Sequence, residues 1–206
     1  LTIIPFFFFL FYEDEKILNI DENYNKKSII DLLSNKNIQL AILSAGIGYI
    51  TMSTLMTATP ISMNVTHGYS IFSTGIVIQA HVVGMFLPSL ITGYLIKKYG
   101  HKYVIFFGII ILLSCLVTNF LFETYYGFLI GLILLGVGWN FLFVTGTSLL
   151  VISYNDEDRF LAQGINDFVV FSSQALGSLL AGFLLFLTSW QILNILCIPL
   201  IFLLLF

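Results

Sequence analysis

Six apolar runs constrain this chain more than any other feature. They cover about residues 38–63, 71–96, 103–122, 127–150, 160–187 and 191–206. A helix rises about 1.5 Å per residue, so about 20 apolar residues cross the hydrocarbon core of a bilayer. In lipid, only helices and closed barrels satisfy their own backbone polar groups. A barrel strand alternates apolar and polar residues over about ten positions, and these runs do not alternate. Only 9% of the 206 residues are charged and 58% are hydrophobic, against about 25% charged in soluble domains. A water-soluble globule and a disordered chain are therefore excluded. A net charge of -3 without a basic patch excludes a nucleic-acid binder. The expected fold is all-α, a polytopic transmembrane six-helix bundle.

The polar breaks organise the runs. Residues 12–37 hold ten of the nineteen charged residues and read as a solvated linker. Within it, Ser28 to Lys36 suits a short helix lying on the membrane surface through Ile29, Ile30, Leu32 and Leu33. Residues 1–11 are apolar but too short to cross, and they carry no basic n-region or cleavage site. They read as the end of a preceding transmembrane helix. With the short last run, this makes the expected bundle truncated at both ends. Lys and Arg fall only in alternate connections: Lys16, Lys26, Lys27 and Lys36, then Lys97, Lys98 and Lys102, then Arg159. The positive-inside rule places those connections in the cytoplasm.

Polarity divides the runs. Segments 103–122 and 191–206 carry few polar groups and suit lipid-facing positions, whereas 38–63, 71–96, 127–150 and 160–187 hold the rest. Polar groups in hydrocarbon are costly and turn toward protein or water. On run 160–187, a 100° step per residue puts Gln163, Asp167, Gln174 and Ser178 on one stripe about 60° wide, with Asn166 at its edge. Asp167 is the one carboxylate deep in a run, about 12 Å beyond Arg159. It suits either a proton-coupling or gating residue or a structural anchor. His81 is the second embedded ionisable group, with Gly84 and the kinking Pro88 on its face. It either meets substrate or bonds between helices. Gly127, Gly131, Gly136 and Gly138 allow close helix packing. Trp139, Asn140 and, on run 38–63, Tyr49 are further candidates to line a pathway. Pro60 is expected to break the ladder near the end of its run.

No catalytic constellation, nucleotide loop or paired carboxylate is present in the sequence. His67, His81 and His101 fall in three separate places, so no metal or cofactor is expected. Cys115 and Cys197 lie inside apolar runs and read as small hydrophobes.

The connection at 93–102 reads Gly93-Tyr-Leu-Ile-Lys97-Lys98-Tyr-Gly100-His101-Lys102. It resembles the cytoplasmic loop G-x-L-x-D-R/K-x-G-R/K-R/K of the major facilitator superfamily, in its more degenerate second-half form. Lys97 stands where that family often has Asp, and His101 where it often has Arg or Lys. Arg159 with Gly164 is similar to the loop after the family's tenth helix. The stretches 55–60, 84–88, 136–140 and 163–168 resemble a poorly characterised bacterial branch of it. The resemblance implies that 1–11 ends helix six, 12–37 is the central cytoplasmic loop, and 38–206 are helices seven to twelve, the C-terminal half. It implies secondary active transport of a small-molecule substrate by alternating access, with protons as candidate coupling ion. It also implies a missing N-terminal six-helix half as partner, and a place in the lipid bilayer of a bacterial inner membrane. On that reading Tyr49, His81, Asn140, Asn166, Asp167 and Gln174 form the substrate pathway. Gly93, Lys97, Lys98, Gly100, Lys102, Arg159 and Gly164 form the loop signature. The competing reading is a non-transporting scaffold or sensor subunit, whose inner polar residues would pair off completely.

Overall fold

A computed structural model describes residues 28–205. The reading of 1–11, and most of the linker 12–37, lies outside the described residues. The described chain is helical throughout: α1 (Ile29–Leu33), α2 (Lys36–Ile61), α3 (Ile71–Phe86), α4 (Ser89–Tyr99), α5 (His101–Leu121), α6 (Tyr125–Val151), α7 (Arg159–Leu187) and α8 (Trp190–Phe202). Short polar residues start these helices by accepting from orphan backbone N–H groups. The side chains of Ser28, Asn35, Ser70, Thr124 and Ser189 cap α1, α2, α3, α6 and α8 in this way.

Five helical stretches among the described residues are long and apolar enough to cross a membrane: Lys36–Thr66, Ile71–Tyr99, His101–Leu121, Tyr125–Val151 and Asp156–Leu187. The sixth expected crossing, Trp190–Leu205, is apolar but shorter. Run 71–96 is two helices and not one. Pro88 has no N–H to continue the ladder, so α3 ends at Phe86 and α4 begins at Ser89. Pro60, by contrast, sits inside α2, which continues to Ile61 and passes into a π-turn at Ser62–Thr66. There His67 N–H donates to Ser62 O at 3.1 Å.

Helices α2 and α6 form the centre, with 67% and 61% of their apolar windows buried. Close approach needs glycine where helices cross. At the α3–α6 crossing, a Cβ on Gly136 would lie 2.5 Å from His81 O and 2.8 Å from the Gly84 carbonyl carbon. At the α2–α7 crossing, a Cβ on Gly46 would lie 2.9 Å from Val169 Cγ1, and one on Gly177 2.8 Å from Ile50 O. Helix α5 packs on α6 through Gly108 and Gly138. A polar knot ties α5 to α8: Asn119 Nδ2 donates to Asn194 Oδ1 at 3.1 Å, and Trp190 Nε1 donates to Asn119 O at 3.1 Å.

The cover is uneven. Within residues 28–205, 44% of the apolar window of α5 is buried, against only 22% for the α3–α4 stretch and 17% for the stretch that holds α7. The two stretches that polarity assigns to the inside thus have the most open faces. Each is packed on one side only, α3 against α6 and α7 against α2. Helix α5, read as lipid-facing, buries Leu112, Cys115, Leu116 and Asn119.

Candidate functional site

The middle of the bundle is aromatic where α2 meets α6. Trp139 and Phe143 lie one turn apart on α6 and stack at 5.0 Å with an 18° interplanar angle. Tyr49 of α2 stands edge-on to both, at 5.2 Å from Trp139 and 5.0 Å from Phe143. Gly48 sets the close approach of α2 to α6 here, since a Cβ there would lie 3.3 Å from Leu142 Cβ. Trp139 is buried, whereas Tyr49 and Phe143 are partly open. Buried indole N–H groups usually find an acceptor, yet Trp139 Nε1 has none among the described residues.

Next to Trp139 on the same helix, Asn140 joins three helices. A continuous helix would pair Met85 O with the N–H of residue 89, and the break at Pro88 interrupts that ladder. Asn140 Nδ2 donates instead to Met85 O at 2.7 Å and to Ser89 Oγ at 2.6 Å. Its Oδ1 accepts from Thr92 Oγ1 at 2.8 Å. All the amide's polar atoms are thereby engaged. His81 is equally enclosed: it is fully buried, and Nδ1 donates to Leu132 O of α6 at 2.9 Å. Its Nε2 is buried without a partner among the described residues.

Helix α7 divides the remaining candidates. Asn166 is buried against the bundle, while Asp167, Gln174 and Ser178 are exposed. Asn166 Nδ2 donates to Asp167 Oδ1 at 3.3 Å. Gln163 Nε2 donates to Tyr154 Oη at 2.8 Å. The stripe therefore borders the packed face of α7 and opens away from the described bundle. The structure does not gather all six candidates: Tyr49 lies in the aromatic group, His81 and Asn140 are sealed between α3 and α6, and Asp167 with Gln174 faces outward.

The basic connections share one end. Asn35 Nδ2 donates to Ser153 O at 3.3 Å, and His101 Nε2 lies 3.1 Å from Ser148 Oγ. These contacts bring the starts of α2 and α5 to the end of α6. Lys97, Lys98, Lys102 and Arg159 are exposed there. Lys98 Nζ lies 5.0 Å above the Tyr99 ring, and the Arg159 guanidinium 5.3 Å from Phe160. Gly100 joins α4 to α5 at φ 87° and ψ 160°, a conformation essentially restricted to glycine. Gly93 and Gly164 face open space. At the opposite end His67 Nδ1 donates to Ser62 O at 3.0 Å, and Nε2 lies 2.8 Å from Glu123 Oε2. This clasp ties the α2–α3 connection to the α5–α6 connection. Sequence reasoning missed it, although both residues stand in connections without Lys or Arg. Phe143 was missed too, being one of 21 Phe in an apolar chain.

Among the described residues no three His, Cys, Asp or Glu side chains gather closely enough to hold a metal. The fold and its sparse, sorted polar groups define a multi-pass helical membrane protein whose two flanking crossings are covered on one side only. The Major Facilitator Superfamily profile matches residues 41–206, and the chain belongs to that family. It is 35% identical over 174 residues to the riboflavin transporter RfnT of Brucella anthropi, covering 83% of this chain and 43% of that protein. It is 34% identical over 186 residues to the MFS-type transporter YddS of Bacillus subtilis, covering 87% and 42%. To YdeG of the same organism it is 36% identical over 148 residues, covering 71% and 34%. The chain thus spans less than half the length of these curated relatives.

Proposed function

We propose that this chain is the C-terminal half of a secondary active transporter, which moves a small solute by alternating access across a bacterial inner membrane. The observation that carries the reading is the exposed polar face of α7. A carboxylate and an amide facing acyl chains cost several kcal/mol, so Asp167 and Gln174 call for a water-filled vestibule or a second bundle beside them. A bundle of similar size laid against α3–α4 and α7 supplies both, with the cavity enclosed between the two. Residues 38–206 then act as one domain following a cytoplasmic linker at 12–37, and the basic end faces the cytoplasm.

The pathway surface is Tyr49, Asp167 and Gln174. Asn166 sets the edge of the stripe and steadies Asp167 through its amide. His81 and Asn140 act through structure, since each is sealed between α3 and α6. Asp167 is the proposed proton-coupling carboxylate. The full engagement of Asn140 also fits the scaffold reading, but the unpartnered Nε2 of His81 and the open Asp167–Gln174 face do not.

Riboflavin is the first cargo to test, because the Brucella anthropi relative is named for it. The full-length protein in proteoliposomes should accumulate labelled riboflavin above protein-free vesicles when the interior is made alkaline. A ligand screen by thermal unfolding widens the search, since any bound solute raises the melting temperature. A full-length protein that neither accumulates nor is stabilised by any solute across such a screen contradicts the reading.

A further inference from the structure

We propose that the Trp139–Phe143 stack, walled by Tyr49, is the surface on which a flat conjugated heterocycle of the cargo lies. This rests on the transport reading above and adds to it a class of substrate. Three observations carry it. The first is depth: Tyr49 and Trp139 lie near the middle of the 26-residue α2 and the 27-residue α6. Midplane sites at the interface between bundles are where an alternating-access protein holds its cargo.

The second is the shape of the ring group. Trp139 and Phe143 are nearly parallel at 5.0 Å, and Tyr49 is nearly perpendicular to both, at 77° and 83°. The indole end of this stack is closed, at 4% exposure, while the phenyl end and the tyrosine are partly open. The accessible part of the group is therefore Phe143 and Tyr49, the two rings against which a third flat ring would pack. Offset and edge-on arrangements at such separations are favourable for planar π systems. A puckered, saturated solute matches these flat faces over less of its surface than a planar one does.

The third is the unmet indole donor. Trp139 Nε1 is buried and has no acceptor among the described residues. Hydrogen bonding therefore does not account for a tryptophan here, whereas its broad face against Phe143 does. Stacking on aromatic side chains tolerates varied ring substituents, because every flat heterocycle has a π face. The surface thus selects flatness.

The test uses the full-length protein in detergent and lumichrome, a bare tricyclic heteroaromatic, as probe. Its fluorescence is titrated against the wild type and against Phe143→Leu, Tyr49→Leu and Trp139→Phe. The expected result is saturable binding, weakened about tenfold or more by either leucine variant and within about threefold of wild type in Trp139→Phe, which keeps a flat ring. Thermal unfolding without probe checks each variant. If Phe143→Leu is poorly folded, Phe143→Tyr should bind normally and Phe143→Met should bind weakly. Equal affinity in wild type and both leucine variants, or no saturable binding to the wild type, overturns the proposal. Solute uptake without lumichrome binding overturns this surface and leaves the transport reading standing. Binding that depends on Phe143 and Tyr49 without uptake of any solute supports the surface and overturns transport.

Discussion

A single amide closes the gap that a proline opens. Asn140 meets Met85 O, Ser89 Oγ and Thr92 Oγ1 at 2.6 to 2.8 Å. Truncation to alanine leaves the Met85 carbonyl without that donor. A buried polar group left unmatched costs about 1–3 kcal/mol, and interhelical bonds in membranes fall toward the low end of such values. Asn140→Ala should therefore lower unfolding stability by about 1–3 kcal/mol in detergent, read from the melting temperature. An unchanged melting temperature would remove Asn140 from its bridging role. This residue also marks a limit of legibility. Its polarity in mid-run was plain in the sequence and suggested a pathway. Its acceptor is a carbonyl on another helix, freed by a proline far away in the chain, and no local pattern encodes that meeting. His81 is similar: its imidazole was visible, but Leu132 O is one carbonyl among many on α6.

Elements were more legible than contacts, because apolar length alone marks a crossing helix. Pro88 was read as a kink and proves to be a break between α3 and α4. The π-turn at Ser62–Thr66 had no signal, since an i to i+5 bond leaves no composition or period to read. Small residues along α6 were read as packing devices, and Gly136 can now be given a partner. Its missing Cβ makes room for His81 O and the Gly84 backbone, and backbone cannot rotate aside. Gly136→Ala should separate α3 from α6 and cost about 1–3 kcal/mol. Gly164 sits in a helix and faces open space, so Gly164→Ala should be neutral or gain up to about 1 kcal/mol through helix propensity. Parallel melts of the two variants decide the point. Equal behaviour would mean that the α3–α6 crossing is looser than the structure draws it. Gly100 at φ 87° belongs to the strained class, and Gly100→Ala should cost about 1–3 kcal/mol in the same assay.

At the scale of the whole molecule, the decisive fact is an imbalance of cover. Central α2 and α6 are mostly enclosed, while α7 presents Asp167, Gln174 and Ser178 outward from a stretch long enough to cross a bilayer. Charge alternation predicted that the basic connections share one side, and the hydrogen bonds at the basic end bring the starts of α2 and α5 to the end of α6. The periodicity of α7 gave the stripe. It could not give what the stripe faces, because a helical period sets angles within one element and not the identity of its neighbours. If a second bundle closes a vestibule there, Asp167 meets water and can exchange a proton as the protein turns from one side to the other. If Asp167 were only an anchor, neutralising it would weaken every mode of transport alike. These alternatives separate kinetically. Full-length Asp167→Asn should lose proton-driven accumulation by more than about tenfold. It should keep exchange of labelled for unlabelled cargo, which needs alternating access but no net proton movement, within about threefold of wild type. Equal loss of accumulation and exchange would assign Asp167 to structure. Unchanged accumulation would take the coupling role from it altogether and leave no embedded carboxylate in this chain to carry protons, because no other Asp or Glu stands inside an apolar run.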